Sequence, residues 1–354
     1  MPIASSRSAP GLGILANPAS GKDVRRLVAR ASVFDNQEKR AIVIRALTGA
    51  AAAGVRRVHY FNDKHGITAT ALEDLKDTNS PKISAKAVDV QAHGNALDTI
   101  AAARALRDTG CTAVLVLGGD GTSRAFTLGW RDAVLMPLST GTNNVFPNLL
   151  EATVAGTAAG LIATGALGRR ALPKAAKIID VEIDGEREDL ALIDAAFTSD
   201  RFVGTRALLA PERLRELLLT RADPAAVGMT SIGGLLKPVT AEQPSGLSVS
   251  LSATRKRGSR VLQAPIAPGY FQQVYVTGCK KVAVGSSVCW QGPGVIALDG
   301  ERERFLRPGQ QARLTLRRNG PKVIDTDAVM NAAAKIGAFA RPKTTKKQPK
   351  TNRN

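Results

Sequence analysis

The chain has 354 residues, 44% of them hydrophobic, which is enough for the cores of two domains, and no stretch of it is apolar and long enough to span a bilayer. Its 49 lysines and arginines against 30 aspartates and glutamates leave +19, a surplus that calls for an anionic partner or anionic surroundings. Aromatics are only 4% and none is interleaved with the basic runs, so the stacking platforms of a nucleic-acid binder are missing and no specific nucleic-acid partner is expected. Cys111, Cys279 and Cys289 form no Cys-x-x-Cys pair, and residues 1–10 lack a basic segment followed by an apolar one, which together predict a cytoplasmic protein without disulfides or zinc.

The first predicted strand, 12–16, runs into Asn17-Pro18-Ala19-Ser20-Gly21-Lys22-Asp23. This is not a Walker motif: its opening glycine would fall at Ala16, and Asp23 replaces the metal-binding Ser or Thr. A loop of Asn17, Ser20, Gly21 and Lys22 that leaves a buried strand and opens a helix still offers amides and an ammonium to phosphates. It reads equally well as an ordinary helix start capped by Ser20. Further on, the pattern predicts a helix over 36–53, strands over 57–61 and 86–90, and a helix over 95–108 with Leu97, Ile100 and Ala101 on one face.

A strand over 113–117 then delivers Gly118-Gly119-Asp120-Gly121-Thr122 at its carboxyl end. Glycines let the backbone turn tightly and aim its amides at an anion, and Asp120 supplies a carboxylate for magnesium or for a proton from an attacking hydroxyl. A fifth strand, 134–138, leads into Ser139-Thr140-Gly141-Thr142-Asn143-Asn144, again hydroxyl, glycine and amide. Strand and helix alternation implies a parallel sheet covered on both faces, and loops after three of its strands are expected to converge at one edge. Residues 152–168, mostly Ala, Gly and Thr, read as a closely packed helix.

Beyond 171 the period changes to two. Ile179, Val181 and Ile183 alternate with Asp180, Glu182 and Asp184; Leu247, Val249 and Leu251 alternate with serines; Leu314 and Leu316 alternate with Arg313, Thr315 and Arg317. This predicts antiparallel sheet with one wet face. A helix over 211–220, started by Pro211 and carrying Leu214, Leu217 and Leu218 on one side, is expected to interrupt it; 225–236 suits either helix or loop. The expected organisation is an α/β nucleotide-binding domain over 9–170, a β-sandwich acceptor domain over 171–324 with a cleft between them, a helix near 325–340 packing back on the first domain, and a disordered basic tail over 341–354. His59, His65 and His93 lack ligand spacing, and Arg255-Lys256-Arg257-Gly258 reads as a solvated basic turn.

Asn17-Pro-x-Ser-Gly-Lys-Asp, Gly118-Gly-Asp-Gly-Thr and Gly141-Thr-x-Asn, in this order, resemble the superfamily of NAD kinases and diacylglycerol-type lipid kinases. The likeness runs from about 11 to 327. Residues 139–147 (STGTNNVFP) and Glu151-Ala152-Thr153-Val154-Ala155-Gly156 are closest to its acetoin catabolism protein X branch. The resemblance implies a Rossmann-like domain followed by a β-sandwich. It also implies that Gly118, Gly119, Gly121 and Thr122 hold the phosphates of ATP, with Asp120 serving catalysis and Mg2+. Asn17, Ser20, Gly21, Lys22, Gly141, Thr142 and Asn143 would complete the donor pocket, and Asp194 would face the acceptor. Asp299-Gly300-Glu301 resembles an element that lipid kinases place near the active cleft, so Asp299 and Glu301 join the acceptor side, although Asp-Gly is also a favoured hairpin turn. Two departures stand out: Ile193-Asp194 occupies the place of the Asn-Glu pair of NAD kinases, and their Gly-Ser-Thr-Ala-Tyr segment has no counterpart. The expected activity is ATP-dependent phosphorylation of a hydroxyl on a small-molecule or nucleotide acceptor, with NAD to NADP first. A lipid acceptor and a non-catalytic nucleotide-binding accessory role are the alternatives; polyphosphate as donor and a homo-oligomer stay open.

Overall fold

The computed structural model describes residues 11–21, 35–76, 82–140, 144–186, 188–199, 210–300 and 302–340. The expected basic tail, 341–354, lies outside them. The first sheet is built from β1 (Gly11–Ala16), β2 (Arg57–Tyr60), β3 (Ser84–Ala87), β4 (Cys111–Gly118) and β5 (Val134–Ser139), parallel and in spatial order β3-β2-β1-β4-β5. β4 is central because both of its faces are apolar. Ala113, Leu115 and Leu117 join Leu47 and Ala155 on one side, while Val114 and Val116 join Leu15, Leu106 and Phe126 on the other.

Helices α1 (Asn36–Ala52) and α2 (Ile67–Lys76) cover the first of these faces, and α3 (Ala96–Asp108) and α4 (Asp120–Gly129) the second. The small-residue segment forms α5 (Ala152–Ala163), which lies almost in backbone contact with α1. A β-carbon on Gly156 would sit 1.9 Å from the Ala46 carbonyl oxygen, so only glycine permits this approach.

The α3 face expected from sequence is corrected. Leu97 is 69% exposed, and Ala102, Ala103 and Leu106 point to the sheet instead. The reason is the helix start: Asn95 caps it, and the Asp98 carboxylate turns inward to accept the amides of His93 and Gly94 at 2.8 and 2.5 Å.

After β6 (Lys174–Ala175) the chain enters the antiparallel part. One sheet there contains β7 (Ile178–Ile183) and β8 (Asp189–Ala191), and the other β9 (Asp194–Thr198), β10 (Leu214–Leu219), β11 (Ser245–Ser252), β12 (Arg260–Ala267) and β13 (Tyr270–Ala283). β14 (Ser287–Gln291) and β17 (Gln311–Arg317) complete the smaller sheet, in order β14-β17-β7-β8, whereas the hairpin β15 (Gly294–Leu298) and β16 (Arg302–Leu306) extends the larger, β12-β13-β11-β10-β9-β15-β16. Ile179, Val181, Leu314 and Leu316 meet Leu218, Ile296 and Leu298 between the sheets, so the period-two pattern buries the expected side chains.

The helix expected over 211–220 is a single 3-10 turn, Pro211–Arg213, followed by strand β10. Leu217 and Leu219 enter one core while Leu218 enters another, because β10 lies between β9 and β11 with both faces covered. An apolar run buried on both faces has no period that separates strand from helix. Within 225–236, a short helix α6 (Met229–Gly234) forms.

The chain finally returns to the first sheet. β18 (Lys322–Val323) pairs in parallel with β5, and α7 (Thr326–Lys335) places Val329 and Ala333 in the same core as α1 and α5. The two parts are joined by an apolar cluster of Phe146, Ile178, Leu190, Leu192 and Ile193, and by Arg124 of α4, which donates to the Leu190 carbonyl at 2.6 Å and to the Asp189 carboxylate. Arg304 pairs with the same Asp189 at 3.0 Å. No helix among the described residues is long and apolar enough to cross a membrane.

Candidate active site

The loops after β1, β4 and β5 meet. The Asn17 amide nitrogen of the backbone donates to the Leu117 carbonyl at 2.9 Å, which hangs the first loop on the end of β4. Its side chain donates to Thr122 Oγ1 at 2.8 Å and accepts from the Ala19 amide at 2.9 Å. Ser20 Oγ donates to the Asn17 carbonyl and lies 2.7 Å from Thr140 Oγ1, joining the first loop to the third. The Thr140 amide closes the ring on the Gly118 carbonyl at 3.1 Å.

The glycines of the second loop are there for contact. A β-carbon on Gly118 would lie 2.4 Å from that of Thr122, and one on Gly119 would lie 2.8 Å from Asn144 Oδ1. Gly119 is the N-cap of α4 and gives it no side-chain cap, which leaves the first-turn amides for another acceptor. Gly121 lies in that first turn. Lys22, Gly141, Thr142, Asn143 and Glu301 lie outside the described residues.

Lys39 holds this edge from behind and was not among the residues singled out in the sequence. It is fully buried in α1, and its Nζ donates to the carbonyls of Pro18 and Ser20 at 2.9 and 2.7 Å. The signal was present: Lys39 shares the helical spacing of Ile42, Val43 and Ala46, a cation on the face that packs against the sheet.

Asp120 opens α4 at the meeting point. One carboxylate oxygen accepts the Phe146 amide at 2.8 Å, and both lie 3.1 Å from the Val145 amide. Burial pushes its pKa from 3.8 up to about 7; the Phe146 amide opposes the rise, the negative charge of Asp299 adds to it, and the Val145 amide and the Arg221 charge oppose it. At neutral pH the group is therefore divided between carboxylate and acid, the condition of a general base matched to its medium.

The second domain contributes three groups. Asp299 sits in the β15–β16 turn with φ of 50°, followed by Gly300 at 71°, and its carboxylate accepts the amides of Leu192, Ile193 and Asp194 at 2.8, 2.8 and 3.2 Å. Asp-Gly is thus a hairpin turn, and the buried Asp299 carboxylate is taken up by main-chain amides while its charge still reaches Asp120. Asp194 begins β9, and its carbonyl accepts the Asp299 amide at 2.9 Å. Arg221, which sequence reasoning missed, follows β10 and donates from Nη1 to the Val145 carbonyl at 3.2 Å, its guanidinium 5.9 Å from the centre of the Phe146 ring. A charge placed abruptly after the apolar run 217–219 was its only trace in the sequence.

Residues 12–166 match the family model of the ATP-NAD kinase N-terminal domain, and residues 177–319 that of the acetoin catabolism protein X C-terminal domain. Acetoin catabolism protein X of Cupriavidus necator is 37% identical over 340 residues, 94% of each chain. The chain belongs to the acetoin catabolism protein X family. This is the branch that residues 139–147 and the segment from Glu151 to Gly156 resemble. Among solved structures, yeast NADH kinase complexed with NADH aligns with a TM-score of 0.51 at 12% identity, over 96% of this chain and 91% of that one, and shows the same fold. A putative diacylglycerol kinase from Bacillus anthracis aligns at 10% identity with a TM-score of 0.44, over 92% of this chain and 100% of that one.

In this acetoin catabolism protein X family member, Ile193 is buried in the apolar cluster between the domains, its amide donating to Asp299 at 2.8 Å and its carbonyl accepting the Thr220 amide at 2.8 Å. Among the described residues no group of three or more His, Cys, Asp or Glu is placed to hold a metal ion. What the arrangement supplies is a set of helix-start amides for an anion and, beside them, one carboxylate able to take a proton at neutral pH.

Proposed function

We propose that the chain is an ATP-dependent phosphotransferase that acts on a hydroxyl group, with NAD to NADP the first reaction to test. The observation that carries this reading is the position of Asp120, a carboxylate with its pKa near 7 at the uncapped start of α4, where the loops after β1, β4 and β5 are hydrogen-bonded together. Phosphoryl transfer needs phosphates held in line, charge neutralised, and the nucleophile oriented, with little covalent work by the protein. The uncapped amides of α4 fit the donor phosphates, and Mg2+ fits as a companion of those phosphates, since Asp120 is a single carboxylate and not a cluster. Bound there, the metal supplies charge neutralisation.

In this reading Gly118, Gly119, Gly121 and Thr122 shape the phosphate cradle, and Asn17, Ser20, Gly21, Lys22, Gly141, Thr142 and Asn143 complete it. Asp120 takes the hydroxyl proton, a contribution of roughly 10²- to 10⁴-fold. Asp194 faces the acceptor, while Asp299 sets the shape of the acceptor wall through its three backbone amides. The protein works in the cytoplasm, where nucleotide donor and acceptor are dissolved. Incubation of purified protein with Mg-ATP and NAD, read through a coupled NADP-dependent dehydrogenase, tests the reaction. NADP formation that vanishes in Asp120→Asn supports it, and none above that control removes NAD as the acceptor.

A second reading, a nucleotide-binding accessory protein, draws on the buried Ile193, which leaves the adenosine-binding place of NAD kinases without its side-chain amide. Tight ATP binding with no transfer to NAD, to extracted lipid or to a panel of small alcohols favours it.

A further inference from the structure

Arg221 is a cation beside Asp120 that the reading above leaves unused. It reaches from the second domain to the third loop of the first, and the two residues it touches, Val145 and Phe146, are the same two whose amides hold Asp120. The guanidinium and the carboxylate therefore flank a single dipeptide, one on its carbonyl side and the other on its amide side.

Among the described residues no carboxylate is in contact with the Arg221 guanidinium. Arg221 forms no ion pair among the described residues, although it is partly buried and burial pulls its pKa down. A second cation, Lys177, lies near it. Lys177 is buried and its Nζ donates to the carbonyls of Thr240 and Ser245 at 2.9 and 2.6 Å; Arg318 donates to those of Ala241, Glu242 and Gln243. Both cations are held by main-chain carbonyls, and the Arg221 and Arg318 charges push the Lys177 pKa down, to about 8, together with burial, which is the larger cause. Asp120, Glu242 and Asp223 are the carboxylates that Arg221 feels, none of them in contact with it. A desolvated cation without a counterion is costly unless an anion arrives to pair with it. The single bond to Val145 leaves the rest of the guanidinium fork, whose flat geometry matches two oxygens of a phosphate.

We propose that Arg221 is a phosphate-binding residue contributed by the second domain, gripping the phosphoryl group beside Asp120 as it passes from nucleotide to acceptor. The inference rests on the reading that the three loops bind a nucleotide triphosphate. Because it is delivered by the second domain, the same contact makes the charge at the site depend on how the two domains meet at Val145 and Phe146.

The test uses the full chain as wild type, Arg221→Lys and Arg221→Gln, with Mg-ATP binding by calorimetry, transfer kinetics and melting temperature measured on each. Arg221→Gln is expected to weaken Mg-ATP binding by about tenfold or more, the loss of a charged hydrogen bond, and to lower kcat by roughly 10²- to 10³-fold. Arg221→Lys, which keeps the charge and loses the fork, is expected to fall between. Added guanidinium ion at a sub-denaturing concentration restores part of the Arg221→Gln activity, and sodium at equal ionic strength does not. Wild-type affinity and turnover in Arg221→Gln overturn the proposal; so does a loss that follows a fallen melting temperature and resists guanidinium, which marks a strut between domains. If wild type binds Mg-ATP yet transfers phosphate to nothing, the phosphotransferase reading fails while weaker binding by Arg221→Gln still supports the phosphate contact. No Mg-ATP binding by wild type overturns both.

Discussion

Replacing Asp120 with asparagine should abolish activity and stabilise the fold, and the second effect should depend on pH in a way that burial dictates. The carboxyl has an ordinary pKa of 3.8 and is pushed to about 7 in the native state. That difference means the fold disfavours the ionised form by about 4 kcal/mol. Between the two values the native state holds a proton that the unfolded chain has released, so stability falls as pH rises through this window and levels off above 7. Asparagine cannot ionise and escapes the loss. It also leaves one of the Val145 and Phe146 amides without its acceptor, which costs about 1 kcal/mol. The expected result is that Asp120→Asn gains little or nothing at pH 4 and about 2–3 kcal/mol over wild type at pH 8, measured by urea unfolding at fixed ionic strength. A stability difference that is flat across pH 4–8, or a variant weaker than wild type at pH 8, would refute the placement of this carboxylate in a desolvated site.

Three further outcomes follow from the same geometry. The wild-type rate is expected to rise with pH to a midpoint near 7 and to fall about tenfold per pH unit well below it, because Asp120 must be deprotonated to accept a proton; a pH-rate profile checks this. Asp189→Ala strips Arg124 and Arg304 of a shared buried partner and should cost about 3–5 kcal/mol in unfolding free energy. Gly156→Ala forces a β-carbon toward the Ala46 carbonyl, pushes α5 from α1 and should cost at least about 1–3 kcal/mol, read from thermal or urea unfolding.

Much of the first domain was legible because β1, β4 and β5 are apolar runs that end abruptly in Gly, Asn and hydroxyl residues, and such runs in alternation with helices admit few arrangements. The antiparallel part was legible wherever one face is wet, as in β7 and β17, and failed at β10, where both faces are covered and Leu214, Leu217 and Leu218 suit a helix as well as a strand. The α3 register was misjudged because a local event, Asp98 turning in to close the helix start, decided which face met the sheet. The same distinction governs the site. Asn17, Ser20, Asp120 and Thr122 announce themselves by local motif, whereas Lys39 and Arg221 act on residues 19 to 76 positions away, a pairing that only the folded chain creates.

The most direct measurement is a crystal structure of the protein with Mg2+ and a non-hydrolysable ATP analogue. The account predicts the terminal phosphates on the first-turn amides of α4, between the loops that start at Asn17 and Thr140, with Asp120 beside the terminal phosphate. A nucleotide seated elsewhere, or one whose phosphates lie out of reach of Gly119–Thr122, would contradict it.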